Sequence, residues 1–264
     1  MSNHTASPTT QHRAELRPPA DLPRAAVDRS IRTASTAAGV ALLLMSAVAI
    51  FGNVIAVDGL VSDTSPAQTV SNIKASLGLF RLGIVSLVLV VALDVVVAWA
   101  LYRVFSPVST SLSMLAAVLR LVYSAVFMVA IAQLLGVVRL LSTDTFLTAF
   151  GTDQLTAQAM INITAFNDIW YVGQFLFGLH LLLIGYLAYR SHYIPRLLAV
   201  LLAVSGLGYA TDSLGAVLSP GAWTDISSFT FLGEFLLALW LVIRARSIAT
   251  TASAIEHHAS TSTR

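Results

Sequence analysis

The sequence predicts an all-α, polytopic membrane protein, a transmembrane helical bundle of six spans with both termini in the cytoplasm. Three observations carry this prediction. The 264 residues are 56% hydrophobic and 11% charged, whereas a soluble domain carries about 25% charged residues. Apolar segments recur that are each long enough to cross a hydrocarbon core about 30 Å thick. Arginines gather in alternate connections, as they do on the cytoplasmic side of membrane proteins.

The chain divides into one membrane domain between two tails. Residues 1–34 are rich in Ser, Thr, Pro and Arg and lack apolar periodicity, which predicts a disordered cytoplasmic tail. Residues 35–246 are predicted to form the six-helix transmembrane domain, and residues 247–264 a second disordered cytoplasmic tail. Because a long tail precedes the first apolar run, that run is expected to remain as an anchor rather than to be a signal peptide.

The predicted spans are helices, because an isolated non-helical segment would leave its backbone donors and acceptors unsatisfied in lipid. The apolar runs also lack the alternation that barrel strands require. In chain order the spans cover approximately residues 36–57, 79–102, 112–138, 169–189, 195–218 and 228–243.

Two outer connections are long enough to contain helices of their own. In the first, Ser65 is a candidate N-cap with Pro66 at the first helical position. In the second, Thr152 is a candidate cap for a helix that lies over the bundle or extends the fourth span. The apolar stripe of this second helix consists of Leu155, Ala159, Ile163 and Phe166.

Orientation follows from the basic residues of the tails and loops. With the N-terminus in the cytoplasm, the outer side retains Lys74, Arg81 and Arg139. The inner side collects Arg13, Arg17, Arg24, Arg29, Arg32, Arg103, Arg190, Arg196, Arg244, Arg246 and Arg264. Because these residues are spread over tails and short loops, they indicate topology rather than a nucleic-acid surface.

One pair of charges inside the spans is matched in depth. Asp94 and Arg120 lie roughly 14 and 10 Å from the inner boundary of the second and third spans, at 1.5 Å per residue. A short inner connection makes these spans antiparallel neighbours, so an intramembrane ion pair is predicted. Three roles stay open: a purely architectural pair, a pair that also lines a functional pocket, or an Arg120 that reaches the inner headgroups instead.

A second polar group is predicted near the outer ends of the last two spans. Asp212 and Glu234 both lie roughly 9 Å inside the outer boundary. Arg81 and Asp168 complete the candidate outer cluster. Its alternatives are a structural network or a proton-, cation- or substrate-binding site.

Three polar residues lie nearer the middle of the spans: His180, Gln174 and Gln133. A lone histidine among apolar residues is more often a hydrogen-bonded packing residue than a metal or haem ligand. The chain has no cysteine, which excludes disulfides and thiolate metal sites. No catalytic motif and no metal site is predicted, and the sequence specifies no cofactor.

Several short segments and single residues occur in an order that is typical of a known family. They are Leu79-Phe80-Arg81-Leu82-Gly83, Asp94, Arg120, Phe177-Gly178-Leu179-His180, Tyr193-Ile194-Pro195-Arg196, Gly208-Tyr209-Ala210-Thr211-Asp212 and Gly233-Glu234. In this order they resemble a bacterial integral membrane family catalogued as domain of unknown function 4386. The likeness covers roughly residues 30 to 246 and implies six helices in a bacterial cytoplasmic (inner) membrane. It implies no reaction, ligand or residue role.

Three functions stay open at this point. The first is a small transporter or ligand-binding membrane protein with an intramembrane polar site. The second is an accessory or structural membrane protein whose buried charges specify helix packing. The third, a membrane enzyme acting on a lipid or quinone, has the least support, because no catalytic motif is present. The predicted partner is the lipid bilayer and not nucleic acid, whereas a small-molecule ligand, a protein partner and the oligomeric state are not specified.

Overall fold

The computed structural model describes residues 21–62, 64–219, 223, 226 and 232–252, with side chains from residue 28 onward. All regular structure in these residues is helical, which confirms the all-α prediction. The helices are α1 (Asp21–Ala49), α2 (Pro66–Ala75), α3 (Leu77–Phe105), α4 (Thr110–Ser142), α5 (Asp144–Ala149), α6 (Thr152–Ser191), α7 (Arg196–Leu218), α8 (Leu232–Ile243) and α9 (Ala245–Ala252).

The described helices provide five or six candidate membrane spans, which agrees with a polytopic bundle. The segment Asp28–Leu60 and helices α3, α4, α6 and α7 are each long and apolar enough to cross a membrane. The pair α8 and α9, bent by 81°, can form a sixth span. With 12 residues, α8 alone rises about 18 Å, which is short of the hydrocarbon thickness. Residues 228–231 of the predicted sixth span lie outside the described residues.

Six of the helices pack as a closed ring that follows chain order. Helix α1 packs on α3, α3 on α4, α4 on α6, α6 on α7, α7 on α8, and α8 on α1 again. Large apolar side chains such as Val85, Val95, Leu197 and Leu207 are more than half exposed on the outside of this ring. The ring therefore presents an apolar surface to lipid and one face of each helix to a shared interior.

The first helix differs from the predicted boundaries at both of its ends. It begins at Asp21, so residues 21–34 are helical although they were assigned to the tail. Ile31 and Ala34 are buried against the rest of the bundle, which explains why the helix continues there. At its other end, α1 passes into a π-helical segment, Ile50–Ile55, and a short 3-10 turn, Asp58–Leu60. Residues 1–20 and 253–264 lie outside the described residues.

The first outer connection contains the predicted capped helix. Ser65 accepts a hydrogen bond from the backbone N–H of Gln68 at 3.2 Å, and Pro66 is the first residue of α2. Ser76 separates α2 from α3, so α2 does not run continuously into the second span.

The second outer connection leads into the 40-residue helix α6, which extends the fourth span outward. The four predicted stripe residues, from Leu155 to Phe166, are all buried. The predicted cap is displaced by one residue, because Thr152 is the first helical residue and Gly151 is the N-cap. The Gly151 N–H donates to Oε1 of Gln154 at 3.2 Å, so the N3 side chain satisfies this end of the helix.

Helices α6 and α7 cross at a point where two glycines face each other. A Cβ atom added at Gly178 would lie 2.6 Å from the carbonyl oxygen of Gly206 and 2.8 Å from the backbone N of Ala210. A Cβ added at Gly206 would lie 2.7 Å from the carbonyl oxygen of Gly178. Only hydrogen fits at either position, so the two backbones approach as in small-residue contacts of membrane helices. This contact lies beside Phe177 and His180 in the chain.

One end of the ring gathers basic residues from distant parts of the chain. Arg103, in the last turn of α3, donates from Nη2 to the Ser30 hydroxyl at 2.8 Å. Arg29 and Arg32 of α1 line a surface groove together with Arg246 of α9. The start of α1 and helix α9 therefore lie at the same end of the ring, as an even number of membrane crossings requires.

Candidate functional site: a polar cavity inside the helical ring

The ring encloses a partly open cavity of about 190 Å³. Each of the six ring helices contributes to its wall, so the cavity lies where the whole bundle meets. Representative wall residues, one from each helix in chain order, are Met45, Asp94, Arg120, Phe177, Tyr209 and Glu234.

Asp94 and Arg120, which the sequence matched by depth, form a buried salt bridge at this cavity. Arg120 Nη2 lies 2.6 Å from Asp94 Oδ1, and Nε donates to the same oxygen at 2.9 Å. The two side chains are 2% and 1% exposed. The Ser124 hydroxyl lies 3.2 Å from the second carboxylate oxygen, Asp94 Oδ2, and 2.8 Å from the carbonyl oxygen of Arg120, so the two acceptors share its one proton. Residues of α4 therefore contact both carboxylate oxygens.

Arg120 also contacts His180 of α6. Its Nη1 lies 3.2 Å from His180 Nε2, and His180 Nδ1 lies 2.8 Å from the carbonyl oxygen of Ala116. The guanidinium and the carbonyl oxygen fix the roles of the ring nitrogens, because Nη1 can only donate and the carbonyl can only accept. The imidazole is thus uncharged: Nδ1 carries the proton, and Nε2 accepts a hydrogen bond from Arg120.

The guanidinium is enclosed by apolar and aromatic groups as well. It lies over the ring of Phe177, with Cζ 5.2 Å from the ring centroid, in cation–π geometry. Met45 Sδ of α1 lies 3.8 Å from Nη2. Arg120 therefore connects α1, α3, α4 and α6 through one side chain.

Helical periodicity explains how α4 supplies this group. Ala116, Arg120 and Ser124 are spaced four residues apart, and residues at i and i+4 lie on one face of a helix. On α6, Phe177 and His180 are separated by three residues and share a face in the same way. This spacing groups the residues on one face of each helix, but it does not indicate that the two faces meet, which is why the contact with His180 was not predicted.

Glu234 of α8, which the sequence placed in the outer cluster, lies on the same cavity wall. The Tyr209 hydroxyl hydrogen-bonds to its carboxylate, which also interacts electrostatically with Arg120 and Asp94. Within the described residues, the salt bridge of Asp94 with Arg120 is the one ion pair of opposite charges, so Glu234 has no basic partner within 4.0 Å there. With Asp94, Arg120 and Glu234 ionised, the cavity carries one excess negative charge.

The other members of the predicted outer cluster do not line the cavity. Arg81 and Asp168 are exposed. Asp212 is fully buried and accepts hydrogen bonds from Trp223 Nε1 at 2.9 Å and from the backbone N–H of Ile226 at 3.0 Å. Asp212 thus forms hydrogen bonds with residues of the connection between α7 and α8. These contacts favour a structural role for Asp212 over a role in ligand binding.

The remaining midplane candidates do not line the cavity. Gln174 is buried in α6, and its Oε1 accepts no hydrogen bond from the described residues. Gln133 is half-buried in α4. The residues with defined positions contain no group of three or more His, Asp or Glu side chains arranged to hold a metal ion.

Aromatic rings form much of the cavity wall. Trp170 Nε1 donates to the Tyr123 hydroxyl at 3.0 Å, and the Tyr123 ring lies 4.7 Å from that of Phe177. The Tyr209 ring meets Phe177 edge-on at 5.3 Å. Phe127 lies 5.4 Å from Trp170, between ring centroids. The cavity therefore combines polarisable aromatic surfaces with an excess carboxylate.

The π-helical segment at the end of α1 adds a further polar group to the wall. Asn53 lines the cavity, and its Nδ2 donates to Asp58 Oδ2 at 2.8 Å. Its Oδ1 is buried and accepts no hydrogen bond from the described residues. Single π-helical turns within α-helices occur frequently at functional sites.

Comparisons with known proteins identify relatives without a described activity. The sequence model of a family described as "Domain of unknown function (DUF4386)" matches residues 37–245. An uncharacterised protein of Archaeoglobus fulgidus is 35% identical over 170 residues, which cover 64% of this chain and 88% of the relative. No solved structure matches the chain.

Proposed function

Since this chain belongs to the family described as domain of unknown function 4386, we propose its role from the cavity: it binds a small molecule there, as a small transporter or a ligand-binding membrane protein. The observation that carries this proposal is the position of Glu234, an acid on the wall of an intramembrane cavity without a basic partner within 4.0 Å among the described residues. Ionisable groups inside membranes are costly, and they mark functional sites when no structural partner neutralises them.

The size of the cavity supports a small ligand. An engineered cavity of about 150 Å³ in another protein binds benzene, and the cavity here has about 190 Å³. All six ring helices contribute to the wall. A ligand in this position would contact every helix at once, and such contacts can bias the bundle between two arrangements, as transport requires.

An accessory or structural role is the second candidate, and a specific observation favours it for part of the site. Arg120 forms a salt bridge with Asp94 and a hydrogen bond with His180, and His180 donates a hydrogen bond to the backbone carbonyl of Ala116. Such a network specifies helix packing without any ligand. Glu234 is the residue that separates the two proposals, because it is not part of that closed network. Both ring nitrogens of His180 have protein partners, which lends no support to an enzyme with His180 as acid or base.

The test is a thermal-shift screen of the purified protein in a non-ionic detergent against lipids, quinones, metal ions and small organic acids, bases and alcohols. Ala49 lines the cavity, so Ala49→Phe fills it without changing its charge. Compounds that bind there should raise the melting temperature of the wild-type protein and of Asp168→Asn, a control change at an exposed acid outside the cavity, but not of Ala49→Phe. A screen in which every stabilising compound acts equally on Ala49→Phe would contradict the proposal.

The proposal includes a location in a bacterial cytoplasmic membrane with both termini in the cytoplasm. The orientation of the termini is supported by the basic end of the ring, where Arg29, Arg32, Arg103 and Arg246 lie together. Basic residues are enriched on the cytoplasmic side of membrane proteins.

A further inference from the structure

Resting on the proposed binding function, we propose that the ligand is a small organic ammonium ion, whose charge is neutralised by Glu234 and whose apolar part lies against the aromatic wall. The cavity meets three requirements of such a ligand: charge, surface and size.

The charge requirement follows from the pairing of the three ionisable wall residues. Asp94 is held by Arg120 through two contacts of 2.6 and 2.9 Å and by the Ser124 hydroxyl. Nε and Nη1 of Arg120 donate to Asp94 and His180, and among the described residues no salt bridge within 4.0 Å joins Arg120 to Glu234. Glu234 keeps the hydrogen bond from Tyr209. A ligand with one positive charge would bring the cavity to neutrality, whereas an anion would add a second excess negative charge.

The surface requirement follows from the aromatic rings. Six aromatic side chains line the cavity: Tyr123, Phe127, Trp170, Phe177, Tyr209 and Phe235. Aromatic faces attract ammonium groups, more strongly where water is excluded. Arg120 over Phe177 already shows this geometry in the same cavity. A cation entering near Glu234 would meet both an anion and ring faces, which is the chemistry that recognises organic amines.

The size requirement favours a small ligand over a long lipid or a drug-sized molecule. Pockets for drug-sized molecules have about 300 to 1,000 Å³, and this cavity has about 190 Å³. A single aromatic or branched aliphatic amine fills such a volume. Benzylammonium is therefore a suitable probe, and benzyl alcohol is its uncharged counterpart of nearly equal shape.

The experiment is isothermal titration of the full-length protein in a non-ionic detergent at mildly alkaline pH, where carboxyl groups are ionised and benzylamine carries its charge. The wild-type protein should bind benzylammonium at least about tenfold more tightly than benzyl alcohol. This comparison needs no variant, so it remains decisive even if substitutions at Glu234 impair folding.

Variants then test whether the preference for benzylammonium over benzyl alcohol depends on the charge of Glu234. Glu234→Gln should weaken benzylammonium binding by more than about tenfold and change benzyl alcohol binding little, because it removes a charge and keeps the shape. Glu234→Asp should retain most of the preference for the cation. Asp168→Asn, at an exposed acid of α6, should bind both compounds like the wild-type protein.

Two results would overturn the inference. Equal affinities of the wild-type protein for benzylammonium and benzyl alcohol would show a ligand site that does not select a cation. The broader binding function would survive that result if Ala49→Phe abolished both. Absence of benzylammonium binding would show that the cavity does not take small ammonium ions, and the outcome of the thermal-shift screen would then decide the binding function separately.

Discussion

Arg120 donates from Nη1 to Nε2 of His180 over 3.2 Å, and this contact connects the salt bridge of α3 and α4 to the neighbouring helix α6. His180 in turn donates from Nδ1 to the backbone of α4 at Ala116, over 2.8 Å. The histidine therefore serves as a hydrogen-bonded packing residue, and one of its partners is the charged guanidinium of Arg120. It holds the guanidinium at Nη1, whereas Asp94 holds it at Nε and Nη2.

The salt bridge predicts that single neutralisations are more harmful than a double one. Asp94→Asn or Arg120→Gln leaves one buried charge without its partner and should each cost about 3–5 kcal/mol in the free energy of unfolding. The double variant Asp94→Asn with Arg120→Gln removes both charges and should cost less than either single change. Denaturant unfolding in detergent measures all three. A double variant as unstable as the sum of the singles would argue against direct coupling of the two residues.

The hydrogen bonds of His180 predict a defined tautomer. Nitrogen-15 NMR of protein with labelled histidine should show the side chain of residue 180 as a neutral imidazole with its proton on Nδ1. The signal is assigned by its absence in His180→Gln. A signal from the tautomer with its proton on Nε2 would contradict the contact with Arg120, because that nitrogen could then not accept a hydrogen bond.

The crossing of α6 and α7 predicts that Gly178 tolerates no larger residue. Gly178→Ala places its Cβ where Gly206 and Ala210 already lie, and should lower the free energy of unfolding by about 1–3 kcal/mol. The matched control is Gly78→Ala in α3, where nothing lies within 4 Å of the added Cβ. That change should be neutral or stabilising, since alanine favours helices over glycine. Equal effects of both substitutions would refute a tight crossing.

The proposed orientation can be measured directly because the chain has no cysteine of its own. Two exposed residues lie beyond opposite ends of the third span: Ser111 near the start of α4, and Thr148 in α5, which follows the end of α4. Each is replaced by a single cysteine. A thiol reagent that does not cross membranes should label Thr148→Cys in intact cells and Ser111→Cys only after the membrane is opened. The reverse labelling pattern would show that the protein has the opposite orientation in the membrane and would contradict the proposed one.

The sequence predicted the features that depend on distance along a helix. Span length and hydropathy predict the bundle, and the short connection between α3 and α4 places Asp94 beside Arg120. The cap at Ser65 was predictable because it depends on a local hydrogen bond. These properties require no knowledge of which helices close the ring.

The sequence did not predict the features that depend on rotation about the helix axis and on non-sequential packing. Asp212 and Glu234 lie at similar depth, yet Asp212 is directed to Trp223 and Ile226 while Glu234 lines the cavity. An α-helix makes one turn every 3.6 residues. Two residues at equal depth on different helices can therefore point in different directions around their helix axes. The packing of α8 on both α1 and α7 brings Glu234 to Arg120, and one sequence alone does not specify that closure.

The most direct measurement of the central claim, that the ring encloses a cavity that small molecules enter, is the reactivity of a cysteine placed on its wall. Ser46 lines the cavity, whereas Val95 is 52% exposed on the outside of α3. With a small, water-soluble methanethiosulfonate, Ser46→Cys should react at least about tenfold faster than Val95→Cys, because a thiol in lipid does not ionise. Its modification should also remove the stabilisation by compounds from the screen. A Ser46→Cys no more reactive than Val95→Cys would contradict the account.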